Sequence, residues 1–121
     1  MSTISREFLS ESTNGSFINV IASGTPGTLV HTATNTADEV DEVWLWGVNN
    51  TGATASVAIE WSGTDDVTDI QQVGIPSAQG DQLLVAGKTI AGGLAIRSYT
   101  DAATATSSGV NIGGHVNRIT S

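Results

Sequence analysis

Two histidines, two acidic clusters and three tryptophans are the residues of this chain whose types could do chemistry. His31 and His115 fall in separate strand-like segments, and there is no cysteine to serve as a nucleophile or thiolate ligand. Serines and aspartates are numerous enough for a Ser-His-Asp triad in some chain order, but no Gly-x-Ser-x-Gly elbow and no Gly-x-x-x-x-Gly-Lys phosphate loop occurs. The expectation is therefore a protein that is not an enzyme, with no catalytic residue and His31 hydrogen-bonded to a neighbour inside the fold.

Asp38, Glu39, Asp41 and Glu42 precede the tryptophan run, and Asp65, Asp66 and Asp69 follow it. Calcium needs six to eight oxygen ligands. Neither cluster has EF-hand spacing, and an extended strand sends Glu39 and Asp41 to one face and Asp38 and Glu42 to the other. Both clusters read as an acidic rim facing solvent or a partner, with no metal and no cofactor. Trp44, Trp46 and Trp61 could form a sugar-stacking platform, but they occupy the most apolar, most strand-like segments, where a core role needs no further assumption. A carbohydrate-binding module remains the alternative from another class; it would present an exposed tryptophan beside carboxylates or amides.

The elements that must position these residues are strands. VWLWGVNNTGATASVAIEW, residues 43–61, sets two apolar runs around an Asn/Gly/Thr turn, which signals a β-hairpin. In its second arm Val57, Ile59 and Trp61 alternate with Ser56, Ala58 and Glu60, the period of a half-buried antiparallel strand. The first arm is apolar on both sides, with Trp44, Trp46 and Val48 opposite Val43 and Leu45. Such a strand needs a cover on its outer side: a second sheet, a loop or another chain. Strand candidates follow one another at 17–22, 28–33, 39–48, 54–61, 67–75, 82–86, 93–100 and 110–119, separated by Gly, Pro, Asn, Asp and Ser, and no window carries a helical stripe. The fold class is all-β, a single-domain antiparallel β-sandwich, jelly-roll-like, of about eight strands.

The chain of 121 residues suits one core. Residues 1–16 read as an N-terminal arm and 17–121 as the sandwich domain. Ile4, Phe8 and Leu9 are the arm's apolar points and its candidate partner-binding anchors. On this reading, removing the arm leaves the melting temperature of the free domain nearly unchanged and weakens attachment to a partner.

Twelve carboxylates stand against Arg6, Lys88, Arg97 and Arg118, for a net charge of −8. Nucleic acid and anionic membranes are poor partners, because both draw affinity from clustered cations. Charged residues make up only 13% of the chain, so uncharged polar groups cover much of the surface, a coat that is cheap to desolvate against a permanent protein partner. No stretch reaches the roughly 20 apolar residues of a membrane helix and no secretory leader opens the chain, so synthesis in a cytoplasm is expected.

The C-terminal run Ser108-Gly109-Val110-Asn111-Ile112-Gly113-Gly114-His115-Val116-Asn117-Arg118-Ile119-Thr120 resembles the last strand of small β-sandwich structural proteins of tailed bacteriophages. The hairpin WLWGVNNTGATASVAIEW and the Gly92-Gly93-Leu94-Ala95-Ile96-Arg97 strand are similar to the same group, and together these segments cover about half of the chain. The resemblance implies a virion structural protein, foremost a capsid decoration or cement protein on the capsid exterior. Its implied partners are the major capsid protein and further copies of itself in a homotrimer. A head-fibre or tail component is the alternative within the group. The resemblance carries no catalytic residues.

Overall fold

The structure is a computed structural model that describes residues 2–103 and 107–121. Among the described residues there are nine strands and no helix. They are β1 (Thr3–Phe8), β2 (Ile18–Asn19), β3 (Thr28–Thr32), β4 (Glu39–Asn49), β5 (Ala55–Trp61), β6 (Ile70–Ile75), β7 (Gln82–Ile90), β8 (Ala95–Thr100) and β9 (Val110–Thr120). Strands β1, β9, β4 and β7 lie side by side in one sheet, with β2 also paired to β9; β3, β8, β5 and β6 form the other. Every pairing is antiparallel. Strands β2 to β9 therefore follow the jelly-roll order, β2-β9-β4-β7 over β3-β8-β5-β6, and the sandwich read from turn spacing is the one formed.

The core between the sheets is aliphatic. Val20, Val30, Val43, Leu45, Val57, Ile59, Ile75, Ile96, Val110, Ile112 and Val116 are fully buried, and no aromatic side chain is among the buried hydrophobic residues. This corrects the core role expected of Trp44 and Trp46. In β4 the side chains alternate as the sequence requires, but Val43 and Leu45 point inward with Asp41, while Trp44 and Trp46 lie half-buried on the outer face. A period of two separates two faces without saying which is inner. In β5, Val57 and Ile59 point inward as expected; Trp61 packs against the core at its edge, and Ala58 and Glu60 on the opposite face are buried too.

The N-terminal residues differ from a free arm. All six residues of β1 pair with β9, from Thr3 opposite Thr120 to Phe8 opposite His115, so the sheet extends through the segment. Leu9 is 1% exposed and belongs to the core. Isolated apolar points in a polar stretch carry no periodicity, so the short strand that precedes Leu9 is invisible to pattern reading.

Candidate functional site

The outer face of the five-stranded sheet gathers most of the large apolar side chains that the core does not use. Register sets it out in rows: Phe8, His115 and Trp44 stand side by side on β1, β9 and β4, and Trp46 lies opposite Gly113 one row on. The indole rings of Trp44 and Trp46 stack, with centroids 6.3 Å apart and planes 20° from parallel. The His115 ring lies 5.9 Å from Trp46. Phe17 covers Gly113, where an added Cβ would come within 2.8 Å of its ring, and Trp44 covers Gly87 in the same way at 3.1 Å. Gly87 stands in a register shift of the β4–β7 ladder with a left-handed φ of 76°, so it needs glycine for its backbone as well as for the ring above it. Phe8, Phe17 and Leu83 remain more than half exposed, at 58%, 56% and 52%.

A polar row borders the aromatic one. Arg6 Nε donates to Asn117 Oδ1 at 3.3 Å, Asn117 Nδ2 donates to Glu42 Oε1 at 3.0 Å, and Trp44 Nε1 donates to the same oxygen at 2.9 Å. The indole and amide donors hold the Glu42 carboxyl below its usual range. Burial, with help from the Arg6 charge, pushes the His115 imidazole down against the opposing pull of Glu42, so at neutral pH it joins the face as an uncharged ring. A groove of about 290 Å³ opens beside it, lined by Arg6, Glu7, Phe8, Gly15, Gly114 and His115.

Beneath this face lies a buried polar cluster. Asp41, expected on an acidic rim, is fully buried. Its Oδ1 accepts from Arg118 Nε at 2.8 Å, and its Oδ2 accepts from Arg118 Nη2 at 3.1 Å, from the Thr34 amide at 3.0 Å and from His31 Nε2 at 2.8 Å. Burial alone would raise its pKa; the Arg118, His31 and Thr34 hydrogen bonds and the Arg118 charge outweigh that and leave it lowered. Ser10, His31 and Asp41 are the residue types of a hydrolytic triad. Their bonding is different: His31 Nδ1 accepts from the Ser10 backbone amide at 2.9 Å, while Ser10 Oγ accepts from the Thr32 amide at 2.7 Å. Because the amide can only donate, Nδ1 is the bare nitrogen and Nε2–H faces Asp41. The cluster ties the segment after β1 to β3, β4 and β9, in line with a hydrogen-bonded structural role for His31.

The second acidic cluster is taken up by its own turn. Asp65 Oδ1 accepts from the Val67 amide and Asp69 Oδ2 from the Asp65 amide. Among the described residues, no three histidine or carboxylate side chains come together to hold a metal ion. Trp61 lies apart from the other two tryptophans, with Lys88 Nζ 4.7 Å from its ring centroid.

Of the expected anchors, Ile4 at 69% exposed and Phe8 stand on the outer face, and Leu9 is spent on the core of its own chain. Sequence reading missed the face as a unit. Its signal was the pairing of strand glycines with aromatics, Gly87 with Trp44 and Gly113 with Phe17. Comparison with protein families, curated proteins and solved structures finds no match for this chain.

Proposed function

We propose that this chain is a virion structural protein of a tailed bacteriophage, a capsid decoration protein that binds the major capsid protein from outside the shell and stabilises it. The observation that carries the reading is the outer face of the five-stranded sheet. Its centre holds Trp44, Trp46, Phe17, Phe8 and an uncharged His115, and around them stand Asn111, Asn117 and Thr89. An aromatic centre without charge of its own, inside a polar rim that carries Glu42 and Arg6 beside the amides, is the composition of a protein–protein interface, and tryptophans are its usual anchors. The resemblance of β9, the β4–β5 hairpin and β8 to phage sandwich proteins supplies the partner. A closed homotrimer at local threefold positions would repeat these contacts with the symmetry of the shell, so that modest individual affinities act together. On this reading the protein acts mechanically, needs no cofactor and contacts neither nucleic acid nor membrane; a head-fibre or tail role is the alternative within the same setting.

One observation favours a second reading. Trp44 stands beside Glu42, Asn117 and Arg6, an aromatic ring next to a carboxylate, an amide and a guanidinium, which is also the chemistry of a sugar site.

The test is co-sedimentation and imaging of the purified protein with expanded, undecorated capsids. Binding in a threefold pattern, lost in the Trp46→Ser, Phe17→Ser double variant while its circular dichroism is retained, is the expected result. No capsid binding by the parent, together with glycan binding lost in Trp44→Ala, moves the sugar reading ahead.

A further inference from the structure

The two sheets end in the edge strands β1 and β7, and β3 and β6. All but β1 carry a register shift or give a backbone group to a side chain from elsewhere. Strand β7 breaks its ladder with β4 twice, and its Leu84 carbonyl accepts from Gln71 Nε2 at 2.7 Å. On β6 the Ile75 carbonyl accepts from Asn49 Nδ2 at 2.7 Å. Strand β3 is shifted between Leu29 and His31, and its Thr32 amide donates to Ser10 Oγ. Such devices keep other strands off an edge. Strand β1 runs without a shift from Thr3 opposite Thr120 to Phe8 opposite His115, and it contains no proline, glycine or lysine. Among the described residues no hydrogen bond reaches its backbone from the far side. In an antiparallel ladder every second residue of an edge strand turns its amide and carbonyl outward, so β1 offers a row of unused donors and acceptors to another strand.

The side chains beside that edge tell which strand fits. Ladder partners on β4, β9 and β1 form three rows on the outer face: Val40, Ile119 and Ile4; Glu42, Asn117 and Arg6; Trp44, His115 and Phe8. An apolar row thus lies on each side of a polar one, and Ile4 and Phe8, where the apolar rows reach the edge, are 69% and 58% exposed. A second copy of β1, laid antiparallel about a twofold axis through Arg6, sets Ile4 opposite Phe8 of the second copy and Ser5 opposite its Glu7. Each apolar row then continues into an apolar row of the other copy, and the polar rows meet end to end. Moving the axis by one residue destroys the match. With the axis at Ser5, Ile4 faces Arg6 of the second copy; with it at Glu7, two carboxylates face each other. The one unfavourable pair of the matched register is Arg6 opposite itself, and the hydrogen bond from Arg6 Nε to Asn117 Oδ1 draws each guanidinium back over β9 toward Glu42. We infer that β1 is a self-association edge: two copies of this chain pair β1 to β1, so that β7-β4-β9-β1 of one continues into β1-β9-β4-β7 of the other. The contact joins sheet edges and is read on the free protein, so it does not rest on the capsid reading.

The experiment is sedimentation velocity on the untagged full-length protein from about 10 μM to about 1 mM, the range for a contact smaller than the interface of a stable dimer. A mass of two copies that builds up with concentration is expected, together with slower amide exchange at alternate residues of Thr3–Phe8 and unchanged exchange on β7. Ile4→Lys, at an exposed position where the fold tolerates it, enters both Ile4–Phe8 pairs and should weaken pairing about tenfold. Arg6→Thr removes the like-charge pair and should tighten pairing about threefold. Leu83→Ser, at the opposite edge of the same face, should leave pairing unchanged. A monomer throughout the range overturns the inference, and so does a mass of three copies. Pairing that survives Ile4→Lys but is lost in Leu83→Ser overturns it as well, by moving self-association away from β1.

Discussion

Asp41 on β4 and Arg118 on β9 stand directly opposite each other in the ladder and join through two hydrogen bonds, with the carboxylate fully buried and the guanidinium half-open to solvent. Arg118 belongs to the His115-Val116-Asn117-Arg118-Ile119 run that carries the phage resemblance, so part of that motif serves to neutralise a buried charge. His115 and Asn117, which alternate with Arg118, belong to the outer face. One strand therefore holds the buried cluster on one side and the outer aromatic face on the other.

Breaking this pair leaves a buried charge without its counter-ion. Arg118→Met should cost about 3–5 kcal/mol of unfolding free energy, the range for removing one partner of a buried ion pair. Replacing both partners, as Asp41→Leu with Arg118→Met, should not recover that loss, because it leaves the buried His31 Nε2–H and the Thr34 amide without their acceptor. Urea denaturation of the three proteins decides between this and a surface-like contribution, in which Arg118→Met would fall within about 1 kcal/mol of the parent.

The same cluster sets the acid response. Asp41 is held below its ordinary value of 3.8, so its contribution to stability is complete above that value and is lost as pH falls below it toward the folded value. Glu39, held down mainly by Thr34, and Glu42, held down mainly by Trp44, act in the same direction below 4.5. Denaturation midpoints measured from neutral pH downward should decline below 6.5, where the unfolded chain takes up the His115 proton that the fold resists, and then drop further through the carboxylate window. An Asp41→Asn variant should start lower and drop less; parallel curves for the two proteins would remove Asp41 as a cause.

Burial separates neighbours on β4. Leu45 is fully buried, and Leu45→Ala should cost about 2–5 kcal/mol. Trp44→Ala and Trp46→Ala remove larger side chains from a half-open face and should cost less than Leu45→Ala, even though tryptophan truncation in a core costs about 3–5 kcal/mol. Acrylamide should quench the emission of this pair. Equal destabilisation by all three variants would mean that the outer face is covered in solution, and light scattering would then show whether further copies of the chain cover it.

How far the fold could be read in advance follows from which signals repeat. Strands β2 to β9 were legible as apolar segments, most of them alternating, between Gly, Pro, Asn and Asp turns, and the antiparallel sandwich follows from their number and spacing. The inner face of β4 was not legible, since Val43/Leu45 and Trp44/Trp46 are both apolar and only packing across the sandwich selects the smaller pair. Burial of Asp41 and Glu60 was hidden for a related reason: their partners, Arg118 and the Gly27 amide, lie 77 and 33 residues away in the chain. Strand β1 escaped because TISREF is mostly polar, and its pairing depends on the edge that β9 offers.

That last point reverses the expectation for the N-terminal residues. Deleting residues 2–8 removes an edge strand whose side chains are mostly exposed, and should cost about 1–3 kcal/mol through the lost ladder and the newly bared edge of β9. Extending the deletion through residue 16 also removes Leu9 from the core and the Ser10 amide from His31, leaving a cavity and an unsatisfied buried nitrogen beside Asp41. The Leu9 loss alone is worth about 2–5 kcal/mol and the orphaned nitrogen about 1–3 kcal/mol. The longer deletion should therefore be the more damaging by a wide margin, and Leu9→Ala within the full chain should reproduce a large share of the difference. Calorimetry of the parent, the two truncations and Leu9→Ala tests the order. Equal melting temperatures for parent and longer truncation would restore the segment to a detachable arm.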